Sequence, residues 1–297
     1  MPTHKKFRGT ATALVTPFKA DGTLDEKALR KLVGFQIAGG VEALVPVGTT
    51  GENPTLSQEE QLRVIGIVLD EADGKARVFA GAGSNSTAEA IQKVRAAKGA
   101  GADAALVVGP YYNKPTQEGY FQHFRAIAEG ADLPIIVYNV PGRTGGNIEA
   151  QTTLRMAEEI PSVVMVKEAS GNMAQIMEIA RNKPARFSLL SGDDAFTLPL
   201  MVLGGDGCIS VVANEVPKEF SGMVRACLRG KWDRALELHN TLLPLMNANF
   251  IESNPIPVKT ALAMMGVIQE SFRLPMVPMS QKNRDKLKGV LDELHLL

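Results

Sequence analysis

Cysteine is scarce: Cys208 and Cys227 are the only two in the 297-residue chain. Neither belongs to a Cys-x-x-Cys pair or has a histidine close by. That argues against a disulfide framework or a zinc site and for reduced thiols in a cytoplasmic protein. An excess of charge is also missing. Thirty-two basic residues face 32 acidic ones, leaving no long-range field to draw in nucleic acid or an anionic membrane. No apolar run is long enough to span a bilayer. The basic start Met1-Pro-Thr-His-Lys-Lys-Phe-Arg8 is not followed by the apolar core of a secretion signal. Small-molecule partners are therefore expected, with no nucleic acid and no membrane.

Several catalytic signatures are absent as well. There is no Walker A motif, no His-Glu-x-x-His and no Gly-x-Ser-x-Gly. Gly81-Ala-Gly83 has Ser86 where a third glycine would be needed, so a tight turn describes it better than a dinucleotide fingerprint. His4, His123, His239 and His295 are scattered, and none follows an apolar run. A metal-dependent mechanism thus has no evident ligands.

What the chain does have is rhythm. Eight short Val/Ile/Leu-rich runs recur: Thr12–Val15, Ala43–Val47, Val78–Ala82, Ala104–Val108, Ile135–Val140, Val163–Val166, Phe187–Leu190 and Cys208–Val212. They show little alternation, as strands buried on both faces do. The stretches between them read as helices. Asp25–Ala38 opens with acids, Ser57-Gln-Glu-Glu60 is a capping box, and Thr87–Ala100 stops at glycine. The count and spacing predict an α/β fold, a (β/α)8 TIM barrel, over residues 1–224. A doubly wound open sheet is the structural rival, because periodicity cannot show closure. Residues 225–297 predict a C-terminal helical appendage, with helices near Trp232–Asn249, Ile256–Met265 and Gln281–Leu294.

A barrel enzyme carries its chemistry at the C-terminal ends of its strands. Those ends are Gly48-Thr-Thr-Gly-Glu52, Pro110-Tyr-Tyr112, Tyr138-Asn139, Lys167-Glu168 and Ser191-Gly-Asp-Asp194. Lys167 stands out. Period-two alternation puts Val163, Met165 and Lys167 on one strand face. An amine in a barrel interior is disfavoured as ammonium and becomes nucleophilic near neutral pH. It can attack a ketone to give an iminium, an electron sink that needs neither metal nor organic cofactor. A lysine snorkelling at the barrel rim is the competing reading. Tyr138, one strand earlier, could move protons for such an imine, or could be an ordinary core tyrosine. Gly48-Thr-Thr-Gly51 could bind a carboxylate through backbone N–H groups and hydroxyls, or be a plain turn. Arg143, in a loop after the fifth strand, could hold a second carboxylate bidentately, or be an exposed structural arginine. Helix capping explains Asp193-Asp194 better than acid–base work.

Taken together, Gly48-Thr-Thr-Gly-Glu52, Pro110-Tyr-Tyr-Asn-Lys-Pro115, Tyr138-Asn-Val-Pro-Gly-Arg-Thr-Gly145, Lys167-Glu-Ala-Ser-Gly171, Leu190-Ser-Gly-Asp-Asp194, Ile209-Ser210 and Asn254-Pro-Ile-Pro-Val-Lys259 resemble the dihydrodipicolinate synthases, in order over nearly the whole chain. The resemblance implies that Lys167 is the Schiff-base lysine and Tyr138 the general acid/base. It makes Thr49 and Tyr112 proton-relay partners, with Tyr112 entering from an adjacent subunit. Thr50 would hold the pyruvate carboxylate, the backbones of Gly192 and Ile209 would shape the pyruvate pocket, and Arg143 would anchor L-aspartate 4-semialdehyde. It implies a homotetramer, a dimer of dimers, making 4-hydroxy-tetrahydrodipicolinate on the route to diaminopimelate and lysine. Asn85, Glu89 and Tyr111 match an allosteric lysine site of feedback-inhibited relatives. Gln58 and Gln61 stand where those relatives often have histidine, and Asn53-Pro54 also differ. Glutamine can hydrogen-bond but cannot become cationic. The rival activities are an N-acetylneuraminate or 2-keto-3-deoxy sugar acid lyase of the same superfamily, and a barrel that binds a 2-oxo acid without catalysis. Arg143 favours a carboxylate-bearing second substrate over a sialate.

Overall fold

A computed structural model describes residues 6–297. Met1 to Lys5, including His4 and most of the basic start, lie outside the described residues. Eight parallel strands run in chain order: β1 Gly9–Ala13, β2 Ala43–Val45, β3 Arg77–Gly81, β4 Ala104–Val108, β5 Ile135–Asn139, β6 Val163–Glu168, β7 Ser188–Ser191 and β8 Gly207–Ser210. The last strand pairs with the first, Ala11 opposite Ile209, and this closes the sheet into a barrel. Closure removes the doubly wound alternative.

The helices of the barrel are α1 Glu26–Ala38, α2 Gln58–Ala72, α3 Thr87–Ala100, α4 Gln117–Ala131, α5 Pro141–Thr144, α6 Ala150–Glu159, α7 Met173–Asn182, α8 Thr197–Val202 and α9 Pro217–Leu228. Their starts are chemically marked. Asp25 accepts from Ala28 N, and Ser57 and Glu60 form the reciprocal capping box that the sequence predicts. Residue 224 lies inside α9. Beyond it come α10 Trp232–Ala248, which packs on α8 and α9, and α11 Ile256–Met264 and α12 Gln281–Glu293, with α12 against α10 and α11, around a core that includes Phe220, Leu242, Leu245 and Leu287.

Three expectations are corrected. The first strand lies at Gly9–Ala13 rather than Thr12–Val15. Its threonines hide it from an apolar-run reading, yet Thr12 is fully buried because its hydroxyl donates to Gln36 of α1 at 2.8 Å. Strand β6 continues through Lys167 and Glu168 instead of stopping at Val166. Finally, Val163 does not share a face with Met165. The β5–β6 register shifts between Ile135 and Ile136, so Val163 packs among the outer helices while Met165 enters the barrel.

The barrel interior is filled by Ala11, Ala13, Ala43, Val45, Phe79, Leu106, Ile136, Met165, Leu190 and Ile209, among others. Small residues on β1 and β2 leave room for the Phe79 ring. A cavity of about 240 Å³ bordered by Phe7, Phe79, Ala104 and Met165 opens at the lower end, and the strand-end motifs lie at the upper mouth.

Candidate active site

Tyr138 and Lys167 are register partners on β5 and β6. Both point inward, and the Lys167 amine sits 4.3 Å from the centroid of the Tyr138 ring. Lys167 is 4% exposed, which settles the choice between an interior and a rim lysine. The next residues on each strand, Asn139 and Glu168, point outward and are also register partners. Asn139 Nδ2 donates to both Glu168 oxygens, at 3.2 and 3.1 Å. Gln175 Nε2 and the Ser170 backbone N–H complete the carboxylate's shell at 3.0 and 2.8 Å. The neutral donors satisfy the buried carboxylate and fix the strand ends without bringing in a further cation.

Gly192, just past β7, leaves the lysine stem its space. A Cβ there would lie 2.6 Å from Ala169 Cβ and 3.0 Å from Lys167 Cε and Cγ. Its own N–H donates to the Glu168 carbonyl at 2.8 Å. Ile209 is buried in the same interior cluster as Tyr138. Asp194 corrects the capping expectation: α8 begins without a side-chain cap, and Asp194 instead accepts from the N–H groups of Val211 and Val212 at 3.1 and 2.8 Å. It thereby fixes the turn just beyond Ile209. Burial pushes the Asp193 carboxyl above its usual range, hydrogen bonds from the Ala195 and Phe196 backbones oppose this, and the Lys167 charge opposes it less strongly.

The turn after β2 is strained and latched. Pro46 cannot donate to a ladder. Val47, a β-branched residue, takes a left-handed φ of 50°, which costs energy and recurs where function demands a particular backbone. Asn53 Nδ2 donates to the Val47 carbonyl at 2.7 Å, and the Thr16 hydroxyl to the Gly51 carbonyl at 2.7 Å. Gly81 makes room for this turn: a Cβ on it would lie 2.2 Å from Val47 O. Thr49 faces a cavity of about 220 Å³ shared with Gly48, Val108, Tyr111, Tyr138 and Arg143. Thr50 is buried and accepts from Asn254 Nδ2 at 3.0 Å.

Arg143 sits on α5, a single helical turn where the sequence predicts a loop. It lines the cavity, and its Nη2 donates to the Asn254 carbonyl at 3.2 Å. The structure thus brings Lys167, Tyr138, Thr49, Thr50, Arg143, Gly192 and Ile209 to one end of the barrel. Tyr112 is not among the residues lining the cavity. It is 88% exposed, with a left-handed φ of 73°.

Glu89 and Tyr111 line a second cavity of about 360 Å³, together with Gln58 and Gln61. Glu89 is already paired with Lys93 at 2.9 Å and accepts from Ser84. Lys93 first, then Ser84, hold its carboxyl below the usual range. An ammonium ligand would have to compete with Lys93. Asn85 contributes a backbone carbonyl to Asn113.

Residue-by-residue reading of the sequence gives no role to Asn139, Glu168, Glu52, Lys259 or Asn254. One signal was available: Lys259 is a lone charge within the apolar helix Ile256–Met264. The structure buries it completely, with Nζ 2.5 Å from Glu52 Oε1 and 4.3 Å from the centre of the Phe18 ring.

Comparison with known proteins agrees with this geometry. The sequence profile of the dihydrodipicolinate synthetase family matches residues 6–294. The 4-hydroxy-tetrahydrodipicolinate synthase of Chloroherpeton thalassium is 54% identical over 294 residues, covering 99% of this chain and 97% of the relative. The dihydrodipicolinate synthase structure from Thermotoga maritima superposes with a TM-score of 0.97 at 45% identity, over 99% of this chain and 100% of that one. The chloride-inhibited enzyme of Acinetobacter baumannii, solved in complex with pyruvate, gives 0.96 at 44% identity, over 98% and 100%. With the profile, a full-length relative above half identity and the barrel itself all in agreement, the chain belongs to the dihydrodipicolinate synthetase family.

Proposed function

We propose that this chain is a 4-hydroxy-tetrahydrodipicolinate synthase, which condenses pyruvate with L-aspartate 4-semialdehyde through an imine on Lys167. The observation that carries the reading is the Lys167 amine held 4.3 Å from the centre of the Tyr138 ring at the upper mouth of a closed barrel. The name borne by relatives above half identity supports the same activity.

The reaction follows from these groups. The amine adds to the pyruvate keto carbon, and the carbinolamine loses water as the Tyr138 phenol passes protons to and from the leaving oxygen. The resulting iminium draws electrons from the methyl group, which gives up a proton to form an enamine. The enamine carbon attacks the aldehyde of the second substrate, and the new alkoxide is protonated. The substrate amine then attacks the iminium carbon, breaks the bond to Lys167 and closes the ring. One water is released overall, and the lysine returns free.

Thr50 and the backbones near Gly192 and Ile209 serve the pyruvate carboxylate, and Arg143 the carboxylate of the semialdehyde. An anion-holding arginine on the cavity wall supports this aldehyde over a neutral sugar chain. Thr49 on the wall and Tyr112 from a neighbouring copy would extend the proton path from Tyr138. An aromatic ring 88% exposed on a strained backbone suits a residue destined for another subunit, and so supports a dimer as the minimum active unit of the proposed tetramer. Two buried free thiols suit a cytoplasmic setting.

The test is reduction with borohydride in the presence of pyruvate, followed by mass spectrometry of the Lys167 peptide. A lysine carrying the reduced three-carbon adduct is expected. An unmodified peptide from folded protein would leave only a binding barrel. Turnover with pyruvate and aspartate semialdehyde, coupled to reduction of the product, separates this activity from sialate cleavage.

A further inference from the structure

We propose that Asn254, which comes after the last barrel strand, is a positioning residue that aims both carboxylate-holding groups of the site. The inference rests on the roles of Thr50 and Arg143 given above and assigns what sets their direction.

Asn254 is 5% exposed. Its side-chain Nδ2 donates to Thr50 Oγ1 at 3.0 Å, and its backbone carbonyl accepts from Arg143 Nη2 at 3.2 Å. Its Oδ1 has no protein partner among the described residues, so the contact with Thr50 is the tie that orients the amide. A hydroxyl has one hydrogen and two lone pairs. When the amide fills a lone pair of Thr50, the hydroxyl hydrogen turns away from Asn254 and is free for a bound carboxylate. A guanidinium is a rigid planar fork. Fixing one nitrogen on the Asn254 carbonyl fixes the direction of the remaining N–H groups.

The two effects travel by different atoms. The amide side chain acts on Thr50 and the pyruvate end. The backbone carbonyl, which every substitution at 254 retains, acts on Arg143 and the semialdehyde end. The segment cannot drift, because Lys259, five residues on, is bonded to Glu52 of the same turn that carries Thr50. The C-terminal region is therefore part of the substrate-binding apparatus as well as a packed appendage.

This division makes a selective test. In Asn254→Ala, the KM for pyruvate should rise by about three- to tenfold, the worth of one net hydrogen bond. The KM for semialdehyde and kcat should change by less than about twofold, since the carbonyl and Lys167 are untouched. In a Thr50→Val background the same substitution should no longer alter the pyruvate KM, because its effect passes through that hydroxyl. If the alanine variant does not fold, the isosteric Asn254→Asp variant replaces the donor by an acceptor that captures the Thr50 hydrogen, and the pyruvate KM should rise further still.

An unchanged pyruvate KM would overturn the proposal. So would equal rises in both KM values, or an effect that persists with Thr50→Val. The underlying reading fails separately, when wild-type protein is not trapped by pyruvate and borohydride. Trapping in the wild type with no KM split in the variant sinks only the role of Asn254.

Discussion

Asn139 and Glu168 are joined across β5 and β6 on the outside of the barrel, directly behind Tyr138 and Lys167 on the inside. Each strand therefore presents a side chain to the barrel interior and, one position later, a clamp to the helices. A shift of one strand end against the other would move the amine off the phenol ring.

Glu168→Ala should lower kcat by about ten- to a hundredfold, the scale of an ångström-sized misplacement of reacting groups. Glu168→Gln, which still accepts from Asn139, should recover part of it. Steady-state kinetics of the two variants checks this. Equal and full activity in both would mean that the outer clamp does not position the lysine.

Lys167→Ala should lose at least about a thousandfold in turnover, the order expected when a covalent nucleophile is removed. Tyr138→Phe keeps the ring under the amine but loses the phenolic proton, and should cost about a hundred- to ten-thousandfold. Circular dichroism melting should show both variants folded. Near-normal rates in either would remove that residue from the mechanism.

Gly192→Ala places a methyl group 2.6 Å from Ala169 Cβ and 3.0 Å from two carbons of the Lys167 stem. The lysine must give way, so imine formation should slow while the overall fold persists. Borohydride trapping as a function of time measures this directly, and a wild-type trapping rate would show that the space is not needed.

Lys259 and Glu52 form a fully buried ion pair. Burial holds the Lys259 amine below its usual range against the attraction of Glu52. Lys259→Met leaves the Glu52 carboxylate uncompensated and should cost about 3–5 kcal/mol in urea unfolding. The double variant Glu52→Gln/Lys259→Met should regain much of that loss. Additive losses would mean that the pair is not coupled.

Glu215 supplies the pH dependence. It is buried, its Oε2 accepts from Asn249 Nδ2 at 2.6 Å, and its Oε1 and Asn249 Oδ1 are otherwise unpartnered. A protonated acid group leaves no bare charge beside these unpaired oxygens. Burial pushes the carboxyl well above the ordinary carboxylate range, against the hydrogen bond from Asn249. The folded state thus keeps a proton that the unfolded chain releases, and the sign of the linkage is a loss of stability as pH rises from 4.5 through the raised folded value. Glu215→Gln keeps an acceptor for Asn249 without the titration. Its stability relative to wild type should grow as urea unfolding is repeated from pH 5 to about pH 9. Parallel curves across that range would refute the protonated carboxyl.

By itself the sequence determined the alternation of strands and helices, the capped start of α2, and the motifs from which the reactive groups are proposed, because each is a local property. Apolar runs, capping side chains and the Gly48–Glu52 and Lys167–Gly171 motifs are written in consecutive residues. It misplaced β1, whose buried threonines look polar until Gln36 is brought to Thr12. It could not see the bulge that sends Val163 outward, because that depends on the register with β5. Closure, the meeting of Tyr138 with Lys167, and the reach of Asn254 and Lys259 across some 200 residues to Thr50 and Glu52 were decided only in three dimensions. A hydrogen bond or a buried charge pair between distant segments leaves no periodic trace in either of them. It exists only once the fold has removed water from around both.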